Sequence, residues 1–331
     1  MSEQNHATRA STPALQYVVP GVWGLRNVFV NLYYVRDPEA GAGPWALVDA
    51  GLPGSAPKVL DKAVFLFGEN TPPAAILLTH GHFDHIGALH TLVEQWPDVP
   101  VYAHPLELPY LTGRSSYPPP DPSVGGGAMA AMSFLYPKKP INLGDRVKPL
   151  PEDGTVPGMA GWRWLPTPGH SPGHVSFFRE SDRTLLAGDA FVTTKQESAL
   201  SVWQQRQEVH GPPAYFTCDW EQARASVQAL AALQPEVAAT GHGIPMRGQE
   251  LRNQLTQLVQ HFDQQAKPAQ GRYVPQPALA DESGVIAVPP PTPNPMPDLL
   301  LGIGLVGIMT YMLAIQDQKK PLPQRGKAAR R

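Results

Sequence analysis

Short apolar runs rich in Val, Leu and Tyr recur through the first 190 residues. They predict strands over Val28–Val35, Trp45–Val48, Ala75–Thr79, Val99–Ala103, Val175–Phe178 and Thr184–Ala187, the first interrupted by Asn31. Apolar residues three and four apart predict helices over Pro57–Phe67 and Ile86–Trp96, and longer ones over Trp220–Leu233 and Arg247–Ala266. Asp219 stands where the N-cap of the third helix belongs, and Pro235 follows its end. Strands mixed with helices, with polar residues gathered just past strand ends, indicate an α/β layered architecture.

The rhythm breaks at two places. Residues 104–161 carry Tyr-Pro-Pro-Pro-Asp-Pro at 117–122 and three glycines at 125–127, and read as a cap or insert loop within a catalytic domain expected over 17–266. The Pro-rich stretch 267–297 reads as an extended linker. Beyond it, Leu299–Ile315 is seventeen residues without a charge. As a helix it would span about 26 Å, near the lower limit for a hydrocarbon core of ~30 Å. Residues 298–316 are therefore expected to form a hydrophobic helix that anchors the chain to a membrane, the alternative being a helix docked on the domain or on a second subunit. Gly302–Gly307 spells GxGxxG, but only a basic tail follows it, without the acidic residue a dinucleotide site needs.

Composition narrows the class. With 42% hydrophobic and 16% charged residues in 331, the chain is neither disordered, collagen-like nor a coiled coil. Its 26 basic and 28 acidic residues exclude a protein built mainly to grip nucleic acid. The tail 317–331 sets six basic residues against Asp317 alone, a net +5, which leaves −7 for the rest under the overall −2. The positive-inside rule favours a cytoplasmic tail. The polar segment 1–16 lacks an apolar signal region, so the catalytic domain is expected in the cytoplasm too, which a single span permits only if the segment dips into the membrane or the tail crosses despite its charge. A single cysteine, Cys218, allows no internal disulfide and no cysteine-cluster zinc site.

Nitrogen and oxygen donors are concentrated in Thr79-His80-Gly81-His82-Phe83-Asp84-His85, between a strand-like run and a helical pattern. In extended chain His80 and His82 point to the same side and can converge on one metal, while the turn into the helix swings Asp84 and His85 toward a second point. Four such donors in six residues suit a first-row divalent metal such as zinc. Three further segments supply partners: Thr167–His174 (TPGHSPGH) with His170, Gly188-Asp189, and Thr240-Gly241-His242-Gly243. Each places a glycine beside the candidate ligand, which lets backbone approach a crowded centre.

HxHxDH at 80–85, PGHSPGH at 168–174, GD at 188–189 and GHG at 241–243 together resemble the metallo-β-lactamase superfamily of hydrolases, specifically its glyoxalase II-like branch, over roughly residues 17–266. The resemblance implies a four-layer αββα sandwich with a dinuclear site at one edge. His80, His82 and His170 would hold the first metal, Asp84, His85 and His242 the second, and Asp189 would bridge both. Two divalent ions per chain are expected, zinc with iron or manganese as alternatives. Three imidazoles leave an open position for water, and a carboxylate between the ions sets their spacing at roughly 3.5–4 Å. Water bridging two cations is largely hydroxide at neutral pH, so no Ser or Cys nucleophile is required. Asp84 is the candidate for passing on a proton. Asp49 matches the family's early strand-end Asp, which orients the site, and His174 is expected to be structural. His104 and His210 read as solvated loop histidines; His6, His90 and His261 are given no role.

The expected activity is hydrolysis of a small-molecule thioester, ester or lactone. Glyoxalase II enzymes bind glutathione with basic and Tyr residues after the bridging Asp, and acyl-homoserine lactonases carry a Tyr there. Here Lys195 is the only nearby basic residue and Phe191–Thr194 contains no Tyr, so the acyl class stays open. In the cap, Tyr110, Tyr117, Met129, Met132, Phe134 and Tyr136 either line an apolar cleft or pack the loop down. Two alternatives are a mononuclear iron sulfur dioxygenase of the same fold and a membrane-tethered binding module with a vestigial site.

Overall fold

Successive side chains on a strand face opposite ways, and here both faces of both sheets are buried. The computed structural model describes residues 15–39 and 41–293. Its first sheet follows chain order: β1 (Leu15–Val19), β2 (Val22–Asn27), β3 (Val30–Arg36), β4 (Trp45–Val48), β5 (Ala75–Leu77), β6 (Val101–Ala103) and β7 (Val147–Pro149). Strands β1 to β4 pair antiparallel and β4 to β7 parallel. The second sheet holds β8 (Trp162–Pro166), β9 (Val175–Arg179), β10 (Thr184–Gly188), β11 (Val237–Thr240) and β12 (Met246–Arg247), in the order β12-β11-β10-β9-β8, with β10 and β11 parallel.

Tyr33, Val35, Ala46 and Val48 of the first sheet meet Val175, Phe177, Leu186 and Ala239 of the second in one core between the sheets. Their neighbours point outward. Leu32, Tyr34, Trp45 and Leu47 pack under α1 (Ala56–Phe67) and α3 (Leu89–Gln95), the latter preceded by the single turn α2 (Phe83–Ile86). The cap contributes α4 (Leu108–Leu111) and α5 (Ala128–Ala131), and α6 (Ala199–Gln204) follows β10. Phe178, Leu185, Ala187 and Ala238 pack under α7 (Trp220–Ala232), α8 (Gly248–Gln260) and α9 (Phe262–Gln265). The architecture is the four-layer αββα sandwich. Asp219 caps α7 by accepting from the Glu221 and Gln222 amides at 3.0 and 2.9 Å, worth about 1 kcal/mol.

The structure differs from the sequence expectation in three places. The stretch 104–161 is not all loop: β7 joins the first sheet within it. The helix expected over 247–266 breaks at His261 into α8 and α9. The Pro-rich stretch is no extended linker over 267–287. Tyr273 donates to the Pro119 carbonyl at 2.7 Å, the Ala278 amide to Cys218 at 3.0 Å, and β13 (Leu279–Asp281) pairs with β14 (Gly284–Ala287). Buried Tyr273 supplies the apolar area that the proline count conceals. Residues 298–316 and the glycine motif at 302–307 lie outside the described residues, among which no helix is long and apolar enough to cross a membrane.

Candidate metal centre

The site gathers where strands end. Asp49 follows β4, the segment Thr79–His85 leads from β5 into α2, Gly188-Asp189 ends β10, Gly241-His242 follows β11, and the β8–β9 turn carries His170 and His174. Hydrogen bonds stitch the two sheets together at this edge. Asn31 Nδ2 donates to the carbonyls of Thr240 and Gly243 at 2.9 and 2.7 Å, and the Val175 amide donates to Thr79 at 2.9 Å. The polar residue that interrupts the β3 run thus holds the loop bearing His242.

All seven expected residues are brought together and buried. Donor atoms of His80, His82 and His170 lie within 4.8 Å of one another, as do those of Asp84, His85 and His242, and a third set joins His80, His85 and Asp189. Asp189 Oδ2 is central, 3.0 Å from His242 Nε2, 3.5 Å from His170 Nε2 and 3.6 Å from His85 Nε2. His82 Nδ1 lies 3.0 Å from His170 Nε2, and Asp84 Oδ2 lies 3.6 Å from His242 Nε2.

The outer nitrogens decide which inner atoms carry lone pairs. Thr79 gives its hydroxyl proton to Asp49 Oδ2 at 2.8 Å, so at 3.0 Å it accepts from His80 Nδ1. His85 Nδ1 donates to Asp49 Oδ2 at 2.8 Å, and His242 Nδ1 to the Phe29 carbonyl at 2.8 Å. Thr217 donates to Pro213, which leaves its oxygen to accept from His170 Nδ1 at 3.4 Å. Four imidazoles therefore turn an Nε2 lone pair inward, and His80 Nε2, His85 Nε2 and Asp189 Oδ1 are buried without a protein partner. Buried polar atoms are rarely left so, and this set fits divalent cations.

Charge agrees with that geometry. Burial pushes His80 and His170 well below the ordinary imidazole range and His82 down to about 3, so this trio is neutral. Burial also acts downward on His85 and His242, but Asp189 and Asp84 around both, with Asp49 beside His85, outweigh it and raise them. Burial raises the Asp84 carboxyl. For Asp189 it is outweighed by His242 and His85, which hold that carboxyl well below its usual range. The carboxylate side of the centre thus draws positive charge into a buried place.

Supporting residues fall into place around the seven. Asp49, at φ 61°, also accepts from the Thr79 amide at 2.8 Å. His174 Nε2 accepts from the Asp189 amide at 2.8 Å, and its Nδ1 lies 2.8 Å from Thr167 Oγ1. That oxygen is 3.0 Å from Ser176 Oγ, which donates to the Ala187 carbonyl at 2.9 Å, so every proton in the chain has one direction. His104 accepts from the Leu106 amide, and His210 lies 3.5 Å from Glu208, and neither joins the clustered donors. His90 and His261 are likewise outside the donor clusters; His6 lies outside the described residues. In the cap Tyr110 and Tyr117 are buried and stacked 3.9 Å apart, and Tyr136 packs on Phe83 and Phe216, whereas Met132 and Phe134 stay exposed. Two residues went unnoticed in the sequence. Phe216 stacks on His82 at 4.3 Å, and Glu107 lies wholly buried behind the histidine loops. The signal for Glu107 was its position as the one charge in Pro105–Leu111.

An αββα sandwich with clustered His and Asp donors at its strand ends defines a metal-binding protein of the metallo-β-lactamase class. The family model of the metallo-beta-lactamase superfamily matches residues 25–242, and the chain belongs to that superfamily. It is 49% identical over 239 residues to the probable metallo-hydrolase YflN of Bacillus subtilis (strain 168), covering 72% of this chain and 90% of that protein. A hydroxyacylglutathione hydrolase of Erwinia tasmaniensis is 34% identical over 157 residues, covering 47% of this chain and 46% of the other. The crystal structure of a metallo-beta-lactamase family protein from Thermus thermophilus matches with a TM-score of 0.50 at 25% identity, over 74% of this chain and 80% of that one.

Proposed function

We propose that this metallo-hydrolase is a dinuclear enzyme that hydrolyses thioesters, esters or lactones. One observation carries the reading: inward-facing imidazole nitrogens and two carboxylates converge, and three of these donor atoms are buried without protein partners. His80, His82 and His170 would hold one ion, Asp84, His85 and His242 the other, and Asp189 would lie between them. Two divalent ions, zinc with iron or manganese as alternatives, would supply an activated water and a Lewis acid for an acyl carbonyl. Asp189, fixed through its amide by His174, sets the separation of the two halves. Asp84, a carboxylate among the donors whose carboxyl burial raises, is the candidate to accept a proton and pass it on. Phe216, with Phe83 and Tyr136, covers the His82 side with apolar surface and keeps bulk water from it. Likeness to a hydroxyacylglutathione hydrolase supports a thioester among the candidates.

The test is elemental analysis of purified and reconstituted protein, followed by assay on a panel of thioesters, lactones, esters and phosphoesters. Two metal ions per chain and turnover confined to acyl substrates are expected. A single iron with oxygen uptake would replace this reading by the dioxygenase one. A metal-loaded protein inert on every acyl substrate would refute it.

A further inference from the structure

We propose that Glu107 is the positioning residue of the three-histidine half of the centre; this rests on the dinuclear reading above. Glu107 ends a short turn after β6 and is completely buried. Its carboxylate accepts four hydrogen bonds. Oε2 takes the Gly81 amide at 3.0 Å and the Tyr117 hydroxyl, and Oε1 takes the Ser171 hydroxyl and the Gly173 amide, each at 2.8 Å. Gly81 lies between His80 and His82, and Ser171 directly follows His170. One carboxylate therefore ties together the two backbone segments that carry all three histidines. Tyr117 reinforces the tie: its oxygen also accepts from the Gly81 amide at 2.8 Å, and its ring packs on His82 at 4.7 Å.

The other half of the centre is held differently. The outer nitrogens of His85 and His242 rest on Asp49 and on the Phe29 carbonyl, with no bond to Glu107. All four partners of Glu107 are donors, and a carboxylate accepts at both ends, whereas an amide does not. Glu107→Gln keeps the shape but turns an NH2 group toward donors, at the end facing either Gly81 or Ser171 and Gly173. A buried anion is expensive, so an anion used only to fill space would be a poor choice. Its placement between two ligand-bearing segments gives it a task.

The experiment titrates metal-free protein with Co2+, following the visible spectrum and competition with a chelator, with the melting temperature of the metal-free form measured alongside. Wild-type protein is expected to take two equivalents. Glu107→Gln should retain one equivalent at wild-type affinity and bind the other about 10–100-fold more weakly. The one-equivalent spectrum should match that of His82→Ala. Tyr117→Phe and Ser171→Ala, which each remove one donor, should weaken the same equivalent by a smaller factor, and they carry the test should Glu107→Gln fail to fold. Wild-type affinity at both equivalents in these variants overturns the proposal. So does parallel loss of both equivalents with a lowered melting temperature, which a merely structural Glu107 would produce. Fewer than two equivalents on the wild-type protein would instead overturn the dinuclear reading, and this assignment with it.

Discussion

Gly241→Ala isolates the geometry of the centre from its chemistry, because it alters no donor and no charge. Gly241 has ordinary negative φ, so alanine fits the backbone. The difficulty is space. A Cβ there would lie 2.7 Å from His85 Cε1, and closer still to Asp189 Oδ1. Carbon pairs settle at about 3.5 Å or more, so His85 must retreat by roughly 0.8 Å and Asp189 further. Asp189 Oδ2 is held by His242 at 3.0 Å, while Oδ1 has no protein partner, so rotation of the carboxylate sacrifices the free oxygen first. The strain of one added methyl in a packed site is about 1–3 kcal/mol. Displacing reacting groups by about 1 Å lowers turnover by about 10²-fold. The variant should therefore fold, with a modest drop in melting temperature, bind metal more weakly and lose about two orders of magnitude in kcat. Metal stoichiometry by elemental analysis and steady-state kinetics on the best acyl substrate would measure this. Wild-type metal content together with wild-type kcat would refute the placement of Asp189 and His85 against Gly241.

Further outcomes follow from the same geometry. Asp189→Ala and His82→Ala should each abolish turnover and lower the metal content, read by the same two assays; full activity in either would contradict the donor set. Asp189 and Asp84 raise both His85 and His242 above the ordinary imidazole value, so metal competes with protons for these rings, and affinity should rise as the pH rises. Calorimetry in buffers of different ionisation enthalpy should detect that proton release, and an affinity independent of pH would refute it. Cys218 is buried and its thiol is pushed far up by burial, so it should resist thiol reagents until unfolding, and Cys218→Ser should retain activity. Asn31→Ala strands the buried Gly243 carbonyl, while the Tyr33 hydroxyl still serves that of Thr240, and should cost about 1–3 kcal/mol, a drop of several degrees in melting temperature.

What could be read from the chain was local, and what could not was distant. The strands Trp45–Val48, Val175–Phe178 and Thr184–Ala187 stood out because both their faces are buried, leaving continuous apolar runs. β1 and β2 are hidden in the sequence because Gln16, Tyr17, Gly24 and Arg26 interrupt the apolar pattern that sheet pairing rescues. His80 to His85 could be placed from spacing alone, since a strand end and a helix start fix where four side chains point. The proline-rich stretch misled because proline count reports backbone stiffness, whereas Tyr273 decides whether the segment docks.

The same division runs through the centre itself. Which residues supply donors is written into short motifs, but which nitrogen each imidazole offers is decided elsewhere. His242 depends on a carbonyl 213 positions away, His85 on Asp49 at a distance of 36, and His170 on Thr217 at 47. Glu107 reaches its partners across 26, 64 and 66 positions. A motif can carry a ligand, but only folding can orient it, because orientation requires a second hydrogen bond to the far side of the ring. Replacing a donor side chain should therefore lower the metal content directly. Substitutions at Glu107, His174 or Asn31 should leave the donors in place and degrade their aim.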